Sequence, residues 1–199
     1  MKQQESKQRG ILFSKAMMEA NLNGSKSETR RVIKYYLDGV TKITKNEKGN
    51  FNTLGAYPFP EIKCPYGQPG DILYARETIW TDLNTGIISY DKDMCYDGGN
   101  WKATPSIHMP REHSRFWMEV VEVGAERLVD IWDDGAVAEG IEIMESGYYR
   151  DYMNAKNYFM YPRSSYFSLW DSINGQDSHK LNPWVWVVKY KQIQNPNLK

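Results

Sequence analysis

The segment that most restricts the fold of this chain is residues 184–190, Trp-Val-Trp-Val-Val-Lys-Tyr, in which six of seven residues are apolar. A short run this rich in aromatic and β-branched residues is typical of a strand covered on both faces. Such a strand needs neighbours on each side, so the sequence predicts a sheet built around residues 184–190. Further strands are predicted at residues 72–80, after the turn-rich residues 64–71, and at residues 86–90 and 115–123.

Three short helices are predicted from capping residues and apolar spacing. Their predicted caps and ends are Ser14 to Gly24, Asp133 or Asp134 to Glu139, and Ser164 or Ser165 to Gly175. Residues 38–61 are rich in Gly, Asn, Lys and Thr and predict a loop or a mobile insertion. In the strand at 115–123, simple alternation puts Phe116, Met118 and Val120 on one face and Trp117, Val121 and Val123 on the other.

The length of 199 residues fits one domain, which we expect at residues 10–193 between polar tails at 1–9 and 194–199. An aromatic content of 14% favours a folded chain over a disordered one. The predicted class is therefore α+β, mainly β and mostly antiparallel, with a few short helices.

Charge is unevenly spread along the chain although the formal net charge is zero. Residues 1–50 contain eleven Lys or Arg and five Asp or Glu, whereas residues 119–151 contain ten acids and two bases. One interpretation is a basic face opposite an acidic face. The other is a basic tail and an acidic, solvated helix surface, and the sequence leaves both open.

Cys64 and Cys95 are the two cysteines, and they lack CxxC spacing, so free thiols in a reducing cytoplasm are expected. The first ten residues lack the apolar core of a secretory signal, and no apolar run has membrane-spanning length. The two cysteines together with His108 and His113 match no zinc-binding spacing. We therefore predict no metal, no cofactor and no membrane association.

Residues 26–31, Lys-Ser-Glu-Thr-Arg-Arg, follow the predicted helix stop at Gly24 and concentrate reactive groups. An amine beside a Thr hydroxyl is one way to activate a nucleophile, and paired arginines favour phosphate. Glu139, in the short helix, is a possible distant partner. The plainer interpretation makes Lys26 a solvated turn residue, Thr29 a strand former and Glu139 a surface acid.

The order of these motifs resembles the ASCH domain of the PUA-like superfamily. The resemblance rests on an apolar helix, Gly-x-Lys-x-x-Thr-x-Arg, Gly-Asp before a strand, Ala-x-x-Glu and a closing apolar strand. The segments at 11–14, 29–31, 65–71, 76–78, 105–111, 169–175 and 182–188 are similar to bacteriophage and prophage ASCH proteins, most without an assigned function. The resemblance implies a PUA-like β-barrel with flanking short helices and loop insertions, working in the bacterial host cytoplasm.

A compact ASCH enzyme hydrolyses N4-acetylcytidine with a Lys, a Thr and a Glu in matching contexts. By motif position these are Lys26, Thr29 and Glu139, which implies an amidohydrolase that needs no metal and acts on an N-acylated or otherwise modified pyrimidine nucleoside or nucleotide. Thr29 would attack or orient a water, Lys26 would accept the proton, and Glu139 would orient Lys26 or protonate the leaving amine. Arg30 stands where the compact enzyme has an apolar residue.

The alternative is a non-catalytic module that binds RNA, single-stranded or modified nucleic acid through the same cleft. Its phosphate contacts would come from Arg30, Arg31, Arg76 and Arg111. Glu77 is predicted to pair with Arg31 and hold the pocket. His108 is predicted either to line the pocket or to be a buried structural histidine. A third hypothesis is a phage accessory protein that holds a protein partner, as yet unidentified, with an aromatic patch.

Overall fold

The structure is a computed structural model that describes residues 6–35, 37–55 and 61–197. Its strands are β1 (Gln8–Leu12), β2 (Glu28–Val32), β3 (Val40–Lys45), β4 (Phe51–Gly55), β5 (Ile72–Arg76), β6 (Ile79–Asp82), β7 (Ile88–Ser89), β8 (Trp101–Thr104), β9 (Trp117–Arg127), β10 (Tyr149–Arg150), β11 (Tyr158–Phe159) and β12 (Trp184–Ile193). Its α-helices are α1 (Lys15–Leu22), α2 (Asp133–Ala138) and α3 (Pro162–Asn174). Within the described ranges no helix is long and apolar enough to cross a bilayer.

The main sheet has five strands in the order β1-β5-β9-β12-β2. Only the β1–β5 pair is parallel, so the mixed, mostly antiparallel class predicted from the sequence is confirmed. Strand β12 lies between β9 and β2, as its apolar composition predicted. In the described part of the chain the edge strands β1 and β2 do not pair, so the PUA-like barrel stays a prediction. The two edge strands are nevertheless in contact: Arg31 Nη2 of β2 donates to the Leu12 carbonyl of β1 at 2.6 Å.

Two cores lie on opposite faces of β12. Trp186, Val188 and Tyr190 belong to the larger core, which also receives the apolar side of α1. Val185 points to the other face and packs in a smaller core with Trp170 of α3 and with α2. Helices α2 and α3 therefore cover one face of the sheet near β2, and α1 lies at the other.

A bulge in β9 explains why simple alternation failed for Val123. The partner strand β12 pairs with Glu122 and then directly with Val120, which leaves Val121 without an opposing residue. An unpaired residue shifts the pleat by one position. Val123 is therefore buried in the same core as Val120, and its predicted assignment to the opposite face is wrong.

The segment predicted as a loop at 38–61 contains a β-hairpin formed by β3 and β4, so the loop prediction is wrong over these strands. Residues 56–60 of it lie outside the described residues. The polar tail predicted for residues 1–9 overlaps β1 at Gln8 and Arg9. A Lys- and Thr-rich hairpin exposes most of its side chains, so its strands carry little of the apolar alternation that reveals a half-buried strand.

Helix α1 begins and ends as predicted: Ser14 Oγ accepts from the Met17 amide at 3.4 Å, and Gly24 follows the helix with φ of +78°. Helices α2 and α3 exist where expected, but their caps are Trp132 and Tyr161. The carboxylates at 133–134 and the serines at 164–165 thus lie inside the first turns, and those predicted caps are wrong. Pro162 at the first helical position starts α3 instead, since proline has no amide hydrogen to satisfy there.

Candidate active site at the open edge of the sheet

Lys26 and Glu139, far apart in sequence, meet where the chain enters β2. After α1 ends, the chain turns back and the Lys26 amide donates to the Ala20 carbonyl at 3.0 Å. Lys26 then forms an isolated antiparallel bridge with Glu139, the residue that ends α2. The Ser27 amide donates to the Ala138 carbonyl at 2.9 Å, so backbone bonds fix both side chains to the same place.

The two side chains form a buried ion pair. Lys26 Nζ donates to Glu139 Oε2 at 2.5 Å and to the Glu139 backbone carbonyl at 2.7 Å. The side chain of Lys26 is 0% exposed and that of Glu139 is 2% exposed. Burial lowers the pKa of Lys26 below its ordinary value, the Glu139 carboxylate opposes this shift, and the charges of Arg31 and Arg30 add to it. The neutral amine is therefore available at a lower pH than in an exposed lysine.

Arg30 holds this pair in place from the side of α2. Its guanidinium lies 3.4 Å from Glu139 Oε1, 2.7 Å from Glu126 Oε1 and 3.2 Å from Glu28 Oε2. Burial disfavours the charged guanidinium, but the carboxylates of Glu139 and Glu126 outweigh it and raise the pKa of Arg30. A Cβ at Gly135 would stand 2.8 Å from Arg30 Nη2, so only glycine leaves room for this arrangement.

Thr29 is fully buried, and within the described residues its Oγ1 has no hydrogen-bond partner. It lies opposite Val188 of β12, on the face of the larger core, whereas Arg30 faces α2. The structure therefore brings Lys26 and Glu139 into contact but does not place Thr29 in hydrogen-bonding distance of either. Arg30 lines both cavities beside β2 that are described below, whereas Thr29 is not among their lining residues.

A small cavity of about 60 Å³ lies beside β2. Its lining residues come from α1, β2, the end of α2 and α3: Met17, Arg30, Arg31, Val32, Glu139, Tyr166, Leu169, Trp170, Ile173 and Asn174. It joins side chains of both faces of β2 to the carboxylate of the buried pair.

A larger groove of about 450 Å³ lies on the α2 side and also reaches Arg30. Its lining includes four carboxylates, two cations and several small residues: Glu28, Glu122, Glu126, Asp134, Arg30, Lys189, Gly124, Ala125, Gly135 and Ala138. Trp132 also lines it and is 77% exposed. Pockets of this volume accommodate small organic ligands, and this one ends one residue from Glu139.

Glu77 and Arg31, predicted to pair, do not do so. Glu77 binds Arg115 through two hydrogen bonds of 2.8 and 2.7 Å, and the prediction of a Glu77–Arg31 pair is wrong. The reason is topological: β5 and β9 are antiparallel neighbours, so the residue after β5 faces the residues before β9. Arg31 instead donates to the Leu12 carbonyl and stacks over the Phe13 ring at 5.3 Å.

The other predicted binding residues lie away from the buried pair. Arg76 belongs to β5, which is separated from β2 by the two strands β9 and β12, and its guanidinium donates to the Ile107 carbonyl. His108 and Arg111 are exposed in two short 3-10 turns, and Arg111 Nη1 donates to the Gln8 side chain at 3.2 Å. Among the residues that the structure describes, no hydrogen bond or ion pair joins these three to Lys26 or Glu139.

Glu126 and Tyr166 border the pair without having been singled out in the sequence. Glu126 falls in the acidic segment 119–151 and Arg30 in the basic segment 1–50, so part of the charge asymmetry is a signal of this ion-pair network. Tyr166 is buried in α3 with the Arg30 guanidinium 6.0 Å from its ring centre, and burial raises its pKa well above the usual value. Nothing in the apolar stripe of α3 distinguishes this tyrosine from an ordinary core residue.

Cys64 and Cys95 are free thiols, as predicted. Within the described ranges, no group of three or more His, Cys, Asp or Glu side chains is placed to hold a metal ion. No family model matches the sequence, and comparisons with curated proteins and with solved structures give no match either. The resemblance to ASCH proteins therefore stays an expectation based on the motifs.

Proposed function

We propose that this protein is an amidohydrolase that removes an acyl group from the exocyclic nitrogen of a modified pyrimidine nucleoside, as in N4-acetylcytidine. One observation carries the proposal: a Lys26–Glu139 pair with a fully buried lysine amine, whose carboxylate residue lines the cavity beside β2. Isolated buried lysines are rare because desolvation disfavours the charge. A lysine whose pKa is lowered in this way is suited to accept and return a proton.

The chemistry assigned to these side chains begins with Thr29. Its Oγ attacks the acyl carbon while the Oγ proton passes to the neutral Lys26 amine and the carbonyl π electrons move to oxygen. Collapse breaks the bond from carbon to the exocyclic nitrogen, which takes the electron pair and a proton from the Lys26 ammonium. Water then cleaves the acyl–Thr29 ester, with Lys26 relaying its proton, and the net reaction is amide plus water to amine plus carboxylic acid.

This sequence of steps requires Lys26 Nζ and Thr29 Oγ1 to come together over the edge of β2 when substrate binds. Glu139 fixes the position of the amine and stabilises the ammonium that forms in each half-reaction. Arg30 limits how far Glu139 can follow the lysine, because it binds the other carboxylate oxygen. In this scheme Lys26 carries the proton between the two half-reactions, and its positive charge is paired with Glu139 only while it is protonated.

The pyrimidine part of the proposal rests on the ASCH resemblance and on the groove beside Arg30. The groove has a volume suited to a nucleoside and an exposed indole, Trp132, on which a base can stack. The small residue Ala138, one position before Glu139, also lines the groove.

The nucleic-acid-binding alternative has less support from the geometry. Arg30 is held by three carboxylates, and Arg31 and Arg76 donate to backbone carbonyls. Phosphate contacts from these side chains would require those bonds to break. Salt-sensitive binding of single-stranded RNA that Arg30→Ala and Arg31→Ala weaken, without any cleavage, would favour the alternative.

The test is release of carboxylic acid from a panel of N-acylated cytidines, followed by proton NMR. The proposal predicts that the protein cleaves N4-acetylcytidine and that Lys26→Met and the isosteric Thr29→Val each abolish turnover. Lys180→Met is the matched control, because Lys180 forms an exposed ion pair with Asp177. Turnover that survives both site substitutions, or no turnover of any panel member, contradicts the proposal.

A further inference from the structure

Asn21, at the end of α1, carries a buried polar group that the fold does not satisfy. The residue is 1% exposed, and its Oδ1 accepts a hydrogen bond from the Tyr190 hydroxyl at 2.7 Å. Within the described residues its Nδ2 has no partner. Most buried side-chain polar atoms in native proteins have a partner, so an unpaired amide donor calls for an explanation.

The unpaired donor lies on the same side of the sheet as Thr29. Val188 stands opposite Thr29, and Tyr190 is two residues further along β12, so both side chains point to the same face. Diagonal neighbours of this kind have Cβ atoms about 7–8 Å apart. The Tyr190 amide also donates to the Ser27 carbonyl at 3.0 Å, next to Lys26.

Electrostatic coupling places Tyr190 near the buried pair as well. Burial raises the pKa of Tyr190, and the Glu139 carboxylate is the next contributor to that rise. Asn21, Tyr190 and Thr29 are thus buried polar side chains on one face of the sheet, and Asn21 and Tyr190 are hydrogen-bonded to each other.

Two side-chain atoms in this group lack partners: Asn21 Nδ2 and Thr29 Oγ1. Leaving a buried donor unpaired costs about 1–3 kcal/mol. A carbonyl oxygen that accepts from Nδ2, on a carbon that Oγ1 attacks, would satisfy both atoms at once.

Building on the proposed function, we infer that Asn21 donates its Nδ2–H to the acyl carbonyl oxygen of the substrate as Thr29 attacks. The π electron pair of the carbonyl moves to that oxygen, the Asn21 hydrogen bond stabilises the negative charge without transferring a proton, and collapse restores the carbonyl. Tyr190 is the positioning residue. Because its hydroxyl donates to Oδ1, the amide is held with Nδ2 directed away from Tyr190.

The substitution Asn21→Asp keeps the shape and removes the donor. With N4-acetylcytidine as probe, we expect kcat to fall about 10²–10³-fold while KM changes less than threefold, as for loss of one oxyanion donor. Tyr190→Phe releases the amide and should lower kcat by a smaller factor, again with little change in KM. A purely structural role would lower the folded fraction and leave kcat per folded molecule unchanged, which overturns the inference.

A second measurement separates this inference from the proposed function. The Asn21 side-chain amide signal in a proton–nitrogen NMR spectrum is identified by its absence in Asn21→Asp, and the Thr29→Val protein is titrated with N4-acetylcytidine. The signal should shift, whereas that of Asn46, whose Nδ2 donates to Glu61 Oε2 at 2.7 Å and which lines neither cavity of the site, should not.

The kinetic and NMR results together distinguish failure of the Asn21 inference from failure of the proposed hydrolase. If the wild-type protein cleaves the probe and Asn21→Asp retains its kcat within threefold, the inference fails and the hydrolase stands. If there is no cleavage but the Asn21 signal moves, the hydrolase fails and Asn21 is supported as a ligand contact. If neither cleavage nor a shift occurs, both fail.

Discussion

Removing the carboxylate of the buried pair, by Glu139→Gln, is the perturbation whose size follows most directly from the structure. The substitution keeps the side-chain shape but leaves the 0%-exposed Lys26 amine without its counter-charge. Breaking one partner of a buried pair costs about 3–5 kcal/mol. In a domain of this size that corresponds to a decrease in Tm of about 6–20 °C.

The loss of stability in Glu139→Gln has an upper limit that depends on pH. If Lys26 cannot stay charged it deprotonates, which costs 1.36 kcal/mol for each pH unit below its ordinary pKa of 10.5, or about 4.8 kcal/mol at pH 7. At pH 9 the same limit is about 2 kcal/mol. In the pH range between the lowered pKa of Lys26 in the folded variant and its ordinary value of 10.5, the unfolded chain binds more protons than the folded one. The stability of Glu139→Gln should therefore rise with pH in this range, towards that of the wild type.

The assay is urea unfolding at pH 7 and pH 9 for the wild type, Glu139→Gln, Lys26→Met and the double variant. Because the double variant removes both charges, it should be more stable than the sum of the single losses predicts, with a coupling energy of at least about 2 kcal/mol. The control is Glu142→Gln, which breaks the Arg150–Glu142 pair, 48% and 55% exposed, and should cost less than about 1 kcal/mol. Additive losses, or a Glu139→Gln cost no larger than the control, would refute the reasoning.

Two further predictions concern the surroundings of Lys26, and a third concerns the distant thiol of Cys64. In urea unfolding, Gly140→Ala should lower the free energy of unfolding by more than Gly147→Ala. Both glycines have φ near +80°, but only at Gly140 would an added Cβ stand 2.8 Å from Lys26 Cβ. Equal losses of stability in the two variants would contradict this crowding. The turnover rate should rise with pH and then level off, with the midpoint of the rise below 10.5, because the lowered pKa of Lys26 sets the fraction of neutral amine. A rate that falls over that pH range would contradict the role of Lys26 as the base. Burial raises the pKa of the Cys64 thiol from 9.0 to about 11, so in Cys95→Ser protein at pH 8 the thiolate fraction, and with it the rate of labelling by iodoacetamide, should be about 100-fold lower than for an unperturbed thiol. Labelling at the unperturbed rate would contradict the burial.

The sequence predicts the framework of this fold well where the physical signal is local. The apolar run at 184–190 predicts a strand with neighbours on both sides, and β12 lies between β9 and β2. Ser14 and Gly24 mark both ends of α1. Such features depend on residues a few positions apart, which a single sequence displays.

Features set by strand pairing could not be predicted in this way. The bulge at Val121 depends on how β12 aligns with β9, and it reverses the face of every later residue in that strand. The partner of Glu77 depends on which strand lies beside β5. The hairpin of β3 and β4 is polar on most positions, so it resembled a loop.

In the candidate site, one contact could be predicted from the sequence and others could not. Pairing of Lys26 with Glu139 was anticipated from motif position, and the structure brings them into contact. The ion pairs of Arg30 with Glu126 and Glu28 were not anticipated, because they depend on the packing of α2 over the sheet. A charged side chain that reads as a phosphate contact in the sequence is, in the fold, part of the support for the buried pair.

The most direct test of the account is the rate of acetate formation from N4-acetylcytidine, measured by proton NMR with the wild-type protein and Lys26→Met under identical conditions. We expect catalytic turnover with the wild type, and no acetate above the uncatalysed rate with Lys26→Met protein that circular dichroism shows to be folded. Equal rates for the two folded proteins, or no acetate from either, would contradict the assignment of the buried Lys26–Glu139 pair to hydrolysis.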